Sequence, residues 1–319
     1  MLLKTYTNKD LLIRIAEIKK NKNAVILSHY YQIAEIQDIA DYVGDSLALA
    51  QQASRTQAEI IVLCGVHFMG ETAKILCPDK KVLIPDLNAG CSLADSCPSD
   101  KFAQFISEHP DHTVISYVNT TAAVKTMSDV VVTSTNAKQI IESFPDDEKI
   151  IFGPDKNLGN YINSLTGRNM LLWNGACHVH EQFSIEKIIL LKAEYPEAVL
   201  LAHPECKSTL LKFADFIGST AALLKYALSS NRKYFIVATE SGILHEMQKC
   251  CREKTFIPAP PNDSTCACNE CSFMRLNTLE KLYHCLKDES PEIRLNREIA
   301  EKAIKPLRRM LEISERLGL

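Results

Sequence analysis

The sequence predicts an α/β protein of three Rossmann-like αβα layers, related by a pseudo-threefold axis around a central site, each with a parallel sheet of about four strands. Three observations predict it. Short apolar runs rich in β-branched residues alternate with amphipathic stretches. The same order of features recurs at spacings of 88 and then 86 residues. Each recurrence ends on a loop that carries cysteine.

Met1 to Asn23 mixes apolar residues with Lys, Asp and Glu and reads as a first helix. The first anchor run is Ala24-Val-Ile-Leu-Ser-His29-Tyr-Tyr31, and its counterparts are Thr113-Val-Ile-Ser-Tyr117-Val-Asn119 and Ala198-Val-Leu-Leu-Ala-His203-Pro-Glu205. Alignment on His29, Tyr117 and His203 places an aspartate twelve residues on (Asp41, Asp129, Asp215) and a hydroxyl seventeen on (Ser46, Ser134, Thr220). Thirty-six residues on, a further apolar run has just ended, at Gly65, Gly153 and Thr239. A last run closes each unit: Val82 to Pro85, Met170 to Trp173, Thr255 to Pro258. Between the runs, Leu47 to Ala53, Asn136 to Phe144 and Ala221 to Leu228 read as amphipathic helices. Strands alternating with helices imply parallel βαβ units with right-handed crossovers. Ligands then bind beyond the carboxyl ends of the strands, where the polar clusters lie. The expected divisions are 1–97, 98–183 and 184–289, with 290–319 packing on the first.

The composition is that of an ordinary globular protein: 319 residues, 46% hydrophobic, 24% charged, net charge −3. Near-neutral charge disfavours a nucleic-acid partner. No apolar run approaches the roughly 18 residues of a membrane span, and the N-terminus lacks the apolar block of a secretory signal. A cytoplasmic protein without membrane association is expected. Twelve cysteines in such a chain suggest metal or catalysis rather than disulfides. Cys64, Cys77, Cys206 and Cys285 lie in apolar surroundings and read as buried small hydrophobes; the adjacent Cys250 and Cys251 suggest no function.

The repeat sorts the rest. Near-identical tags, Asn88-Ala-Gly-Cys91 and Asn174-Gly-Ala-Cys177, follow the last runs of copies one and two. Copy three has a longer loop holding Cys266, Cys268 and Cys271. One cysteine per repeat at the mouth of each sheet makes a three-thiolate site. Structural zinc normally takes four ligands, often as two Cys-x-x-Cys pairs, whereas Cys268 and Cys271 form a single such pair. Three thiolates suit a [4Fe–4S] cluster with one iron free of protein ligation, able to act as a Lewis acid. Small residues beside Cys91 and Cys177 would let backbone N–H groups approach the sulfurs.

The strings His29-Tyr-Tyr31-Gln, Asp41-Tyr-Val-Gly-Asp-Ser46, Asn88-Ala-Gly-Cys91-Ser-Leu-Ala-Asp, Tyr117-Val-Asn119-Thr, Thr133-Ser134-x-Asn136-Ala and Cys177-x-Val-His180-Glu resemble the quinolinate synthase family. So do His203-Pro-Glu205-Cys, Gly218-Ser-Thr220, Ala238-Thr-Glu240, Cys271-x-x-Met274 and Lys305-Pro-Leu-Arg-Arg-Met310-Leu. The resemblance covers nearly the whole chain in order. It implies condensation of iminoaspartate, from an L-aspartate oxidase or dehydrogenase, with dihydroxyacetone phosphate, losing phosphate and water to give quinolinate for NAD biosynthesis. It also implies the trilobed αβα fold and allows a homodimer. Some relatives read Cys-x-x-Cys-x-x-Cys in the third loop, but Thr265 stands in the first position here, with Cys266 beside it. The family's ligand is the last cysteine of that loop, so Cys271 joins Cys91 and Cys177. An oxidised Cys268–Cys271 bridge that ejects the cluster is the alternative fate of that pair.

Ser46, Ser134 and Thr220 each precede a predicted helix, where unpaired N–H groups suit a phosphate; the plainer alternative is that they are helix caps. Ser219 could share the task. Glu205, at a strand end, is the general-base candidate. His29, Tyr31 and Tyr117 are candidates for proton transfer or enolate stabilisation and for substrate contact. His203 and Asn119 would hold substrate carboxylates. Glu240 and His180 match the family and could act from behind. Rival readings are a different three-cysteine dehydratase, an iron–sulfur sensor, which would need an effector surface not evident here, and a zinc-stabilised binding protein.

Overall fold

The computed structural model describes residues 6–263 and 269–319. Twelve strands occur among them: β1 (Ala24–His29), β2 (Tyr42–Gly44), β3 (Ile60–Cys64), β4 (Lys81–Leu83), β5 (Thr113–Tyr117), β6 (Val130–Val132), β7 (Ile150–Gly153), β8 (Leu171–Leu172), β9 (Val199–Ala202), β10 (Phe216–Ile217), β11 (Tyr234–Ala238) and β12 (Thr255–Pro258). They form three four-stranded sheets in the orders β2-β1-β3-β4, β6-β5-β7-β8 and β10-β9-β11-β12. Every pairing within these sheets is parallel. The threefold repeat is therefore structural, with one topology used three times. β3, β7 and β9 are buried along their whole length, as parallel strands covered by helices on both faces require. The expected helices lie within Ser46–Arg55, Thr220–Ser229 and, in a shorter form, Ala137–Glu142.

The repeated aspartate is a staple. The Asp41 carboxylate accepts the N–H of Ile26 at 2.8 Å, Asp129 that of Val114 at 2.8 Å, and Asp215 that of Leu200 at 2.7 Å. The aspartates' own N–H groups donate back to the carbonyls of the same three residues. In each copy the partner lies three residues before the anchor, so the staple ties the lead-in of the edge strand to the middle of its neighbour.

The chain divides into two compact units. One comprises the described residues up to Gly90 together with Ser272–Asn296; the other comprises those of Cys91–Cys271 with Arg297–Leu319. This corrects the expected end of the chain. Residues 272–289 belong with the first repeat, not the third. Leu279, Leu282 and Leu286 of helix Leu279–Asp288 join Leu11 and Ile15 of helix Asn8–Asn21 in the core of that unit. The next segment lies antiparallel along edge strand β4, with a bridge between Leu83 and Glu292. Helix Arg297–Arg316 packs instead on β6 and on helix Ala122–Lys125 of the second repeat. The reason is cover: β6 is an edge strand of three fully buried valines, and the stripe of Ala303, Leu307, Met310 and Ile313 is apolar and buried.

Cys64, Cys77, Cys206 and Cys285 are buried, as expected, while Cys250 is exposed and Cys251 buried. Among the described residues no helix is long and apolar enough to cross a membrane.

Candidate active site and metal centre

Cys91 and Cys177 each stand at the N-cap of a four-residue helix, Ser92–Asp95 and His178–Glu181. The N–H groups of Ala94 and Leu93 lie close enough to the Cys91 sulfur to favour its thiolate, as does the N–H of His180 for Cys177. The amides that reach the sulfurs thus follow the cysteines, rather than belonging to the small residues before them. Gly175 is small for another reason: a Cβ there would fall 2.5 Å from the Pro154 carbonyl oxygen and 2.3 Å from Ser96 Oγ. That contact lets Gly175 donate to Pro154 O and accept from Lys156 N, at 3.1 and 2.9 Å, which seats the Cys177 loop on the end of β7.

The residues directly after the two cysteines also meet, with Ser92 Oγ and His178 Nδ1 2.6 Å apart. Cys271 is held from behind by the buried Glu240, whose Oε1 accepts the Cys271 N–H at 3.1 Å while Oε2 accepts that of Gly242 at 2.7 Å. The three thiols lie within electrostatic reach of one another. Burial pushes the Cys91 thiol up to about 12, with Cys271 and Glu205 adding to the rise. Burial likewise raises Cys177, helped by Glu205, Cys91 and Cys271. Cys266 and Cys268 lie outside the described residues.

Beside the thiols sits a buried polar network. The Tyr117 hydroxyl donates to Glu205 Oε1 at 2.6 Å. His180 Nδ1 lies 3.0 Å from Glu205 Oε2, although the two are not aligned as a hydrogen bond. Cys177, His180 and Glu205 offer one ligand atom each, all within 4.8 Å of one another. Burial alone would raise the Glu205 carboxyl, but His180, then His203 and the Tyr117 hydroxyl, outweigh it and hold the group below the ordinary carboxylate range. Asp155 shows the opposite balance: burial, then the charge of Glu205, push its carboxyl well up.

The anchors of copies one and three share a local turn. His203 Nδ1 accepts the Glu205 N–H at 3.3 Å, and His29 Nδ1 accepts the Tyr31 N–H at 3.2 Å. An accepting Nδ1 leaves Nε2 as the protonated nitrogen in each neutral ring. In His203 that nitrogen stands 3.3 Å from Ser134 Oγ. His29 is buried with its ring edge-on to Tyr31. Asn119 Oδ1 is buried and has no hydrogen-bond partner. The fully buried Lys125 draws its loop together by donating to the carbonyls of Val118, at 2.9 Å, and Thr120.

The aligned hydroxyls are not the helix caps. Asp45 caps Ser46–Arg55 and Ser219 caps Thr220–Ser229, so Ser46 and Thr220 are first helical residues. Asn136, not Ser134, occupies the N-cap position of Ala137–Glu142. Ser134 and Ser219 line one cleft of about 380 Å³; Thr220 is buried and does not line it.

Sequence reasoning missed Ser92, His178, Asp155 and Lys125. The first two carried a signal, since each directly follows a tagged cysteine. Lys125 carried none: Ala122-Ala-Val-Lys125 reads as a helix with one solvated lysine.

Three parallel αβα layers of one strand order, with half-buried thiols gathered beside a carboxylate–imidazole–phenol network, define an α/β enzyme whose donor set is compatible with a metal cofactor. The family model described as quinolinate synthetase A protein matches residues 13–312. The quinolinate synthase of Microcystis aeruginosa is 59% identical over 305 residues, covering 96% of this chain and 95% of the relative. That of Chloroherpeton thalassium is 58% identical over 306 residues, with coverages of 96% and 95%; that of Thermosynechococcus vestitus is 58% identical over 305 residues, with 96% of each covered. The chain belongs to the quinolinate synthetase A family.

Proposed function

We propose that the chain condenses iminoaspartate with dihydroxyacetone phosphate, losing phosphate and water, to form quinolinate for NAD biosynthesis in the cytoplasm. The observation that carries this is the gathering of the Cys91, Cys177 and Cys271 thiols beside a buried Tyr117–Glu205–His180 network. These thiols fit a [4Fe–4S] cluster. They are soft donors, two have backbone amides near the sulfur, and their protons are released when a cation binds. When bound, the cluster supplies an iron without a protein ligand, which acts as a Lewis acid toward a substrate oxygen.

The protein's own groups supply the proton transfers. Glu205 is held ionised, so it stands ready to accept a proton from substrate. Tyr117 donates to its Oε1 and can pass a proton to or from that oxygen. His203, with Nε2 as donor, and Asn119, with a buried oxygen awaiting a donor, suit the polar ends of the acid substrate. Ser134, which is not at the N-cap of Ala137–Glu142, and Thr220, whose helix is capped by Ser219, are assigned to phosphate. Among residues of the first unit, Ser46 is assigned to phosphate and His29 and Tyr31 to proton transfer. The deciding experiment is anaerobic purification followed by an assay for quinolinate from the two substrates. Absence of product from cluster-loaded protein would refute the assignment.

A further inference from the structure

We infer that the cluster-free chain holds a single divalent transition ion, Zn²⁺ or Fe²⁺, on Cys177 Sγ, His180 Nδ1 and Glu205 Oε2. Among the described residues these form the one set of three such ligands with all atoms within 4.8 Å of one another. His180 and Glu205 are 3% exposed each, and buried ionisable groups need a partner. Yet His180 Nδ1 and Glu205 Oε2, 3.0 Å apart, form no aligned hydrogen bond. Ligand nitrogen and oxygen atoms around a tetrahedral ion with bonds of about 2.0–2.1 Å stand roughly 3.3 Å apart. The pair needs to open by only a few tenths of an ångström.

The outer partners are already placed for this role. His180 Nε2 lies 3.0 Å from Thr239 Oγ1; donation there leaves the Nδ1 lone pair for a metal, the usual way a ligating histidine is oriented. Tyr117 holds Oε1 of Glu205 and so turns Oε2 toward His180. Cys177 contributes a thiolate and His180 a neutral ring, so the thiol proton and any proton that His180 Nδ1 holds toward Glu205 go to solvent as the ion binds. Three protein ligands leave a fourth position for water. Because Cys177 is also a proposed cluster ligand, ion and cluster exclude one another; that clause rests on the proposed function, and the ion site itself does not.

The test uses the whole 319-residue chain prepared without cluster, its thiols reduced, titrated anaerobically with Co²⁺ and then displaced by Zn²⁺ against a chromophoric chelator. One ion per chain is expected, with tetrahedral d–d bands and the charge-transfer intensity of one cobalt–thiolate bond. Thr239→Val should weaken binding about tenfold, and His180→Ala or Glu205→Gln by more than the roughly 10–100-fold that loss of an outer partner costs. Cys91→Ser and Cys271→Ser should bind as the parent does. Loss of binding in either cysteine variant, the intensity of three thiolates, or no stoichiometric binding would overturn the inference. Circular dichroism separates a misfolded His180→Ala from one that fails to bind, and the Thr239 and cysteine variants stand independently of it. If the parent takes up Co²⁺ as described but never assembles a cluster, the ion site stands and the exclusion falls.

Discussion

Tyr117 and Glu205, 88 residues apart in sequence, meet in a 2.6 Å hydrogen bond in which the phenol donates to Oε1 of a fully buried carboxylate. The bond joins the strand ends of the second and third repeats two positions out of register with the repeat, since Tyr117 is the anchor of β5 and Glu205 lies two residues past the anchor His203. It leaves Oε2 facing His180 and gives the carboxylate a fixed orientation.

Glu205→Gln is close to isosteric and removes the acceptor charge. Turnover should fall by roughly a hundred-fold or more, in the range of a general base, with cluster content and substrate binding retained. Steady-state kinetics beside binding measurements check this. Near-normal turnover would pass the base role to Tyr31 or His29.

Anaerobically reconstituted protein should carry about four irons and four sulfides per chain. Serine at Cys91, Cys177 or Cys271 should abolish the cluster, measured as iron and sulfide content and as visible absorption. Cys268→Ser should keep it. A cluster lost in Cys268→Ser and kept in Cys271→Ser would transfer the third ligand to Cys268.

Ser46→Ala, Ser134→Ala and Thr220→Val should each weaken dihydroxyacetone phosphate binding. A hydrogen bond to a charged group is worth roughly 1.5–3 kcal/mol, about ten- to a hundred-fold. Melting temperature should hold, because capping falls to Asp45 and Ser219. Asp45→Ala and Ser219→Ala should cost about 1 kcal/mol of stability. Calorimetry on both sets separates the roles, and the reverse pattern would make the aligned hydroxyls structural.

Asp41→Ala, Asp129→Ala and Asp215→Ala each remove a charge-assisted bond to a backbone N–H near the middle of a central strand. Each should destabilise by roughly 1.5–3 kcal/mol, read by urea unfolding, whatever its effect on activity. Unchanged stability in all three would show that the staple is replaced by water.

Much of this protein was legible in its sequence because the information was periodic. Strand runs, helix stripes and the cysteine tags recur at nearly constant spacing, and a βαβ unit leaves little freedom in how such runs connect. The tags at Cys91 and Cys177, and the aspartates at Asp41, Asp129 and Asp215, were found by counting alone. What the aspartates do was not, since their partners lie fifteen residues earlier along a different strand.

Tertiary structure alone decided three things. Helix Arg297–Arg316 covers β6 rather than the first repeat, because an amphipathic stripe fits any apolar face and its choice depends on which edge is left bare. Capping passed from the aligned hydroxyls to Asp45 and Ser219, since one residue of phase at a helix start depends on the backbone leaving the preceding strand. His180, Cys177 and Glu205 came together because their loops leave sheet ends brought side by side by packing. A local sequence pattern carries the chemistry of each group, but distances between groups so far apart in the chain are set only when the layers stack.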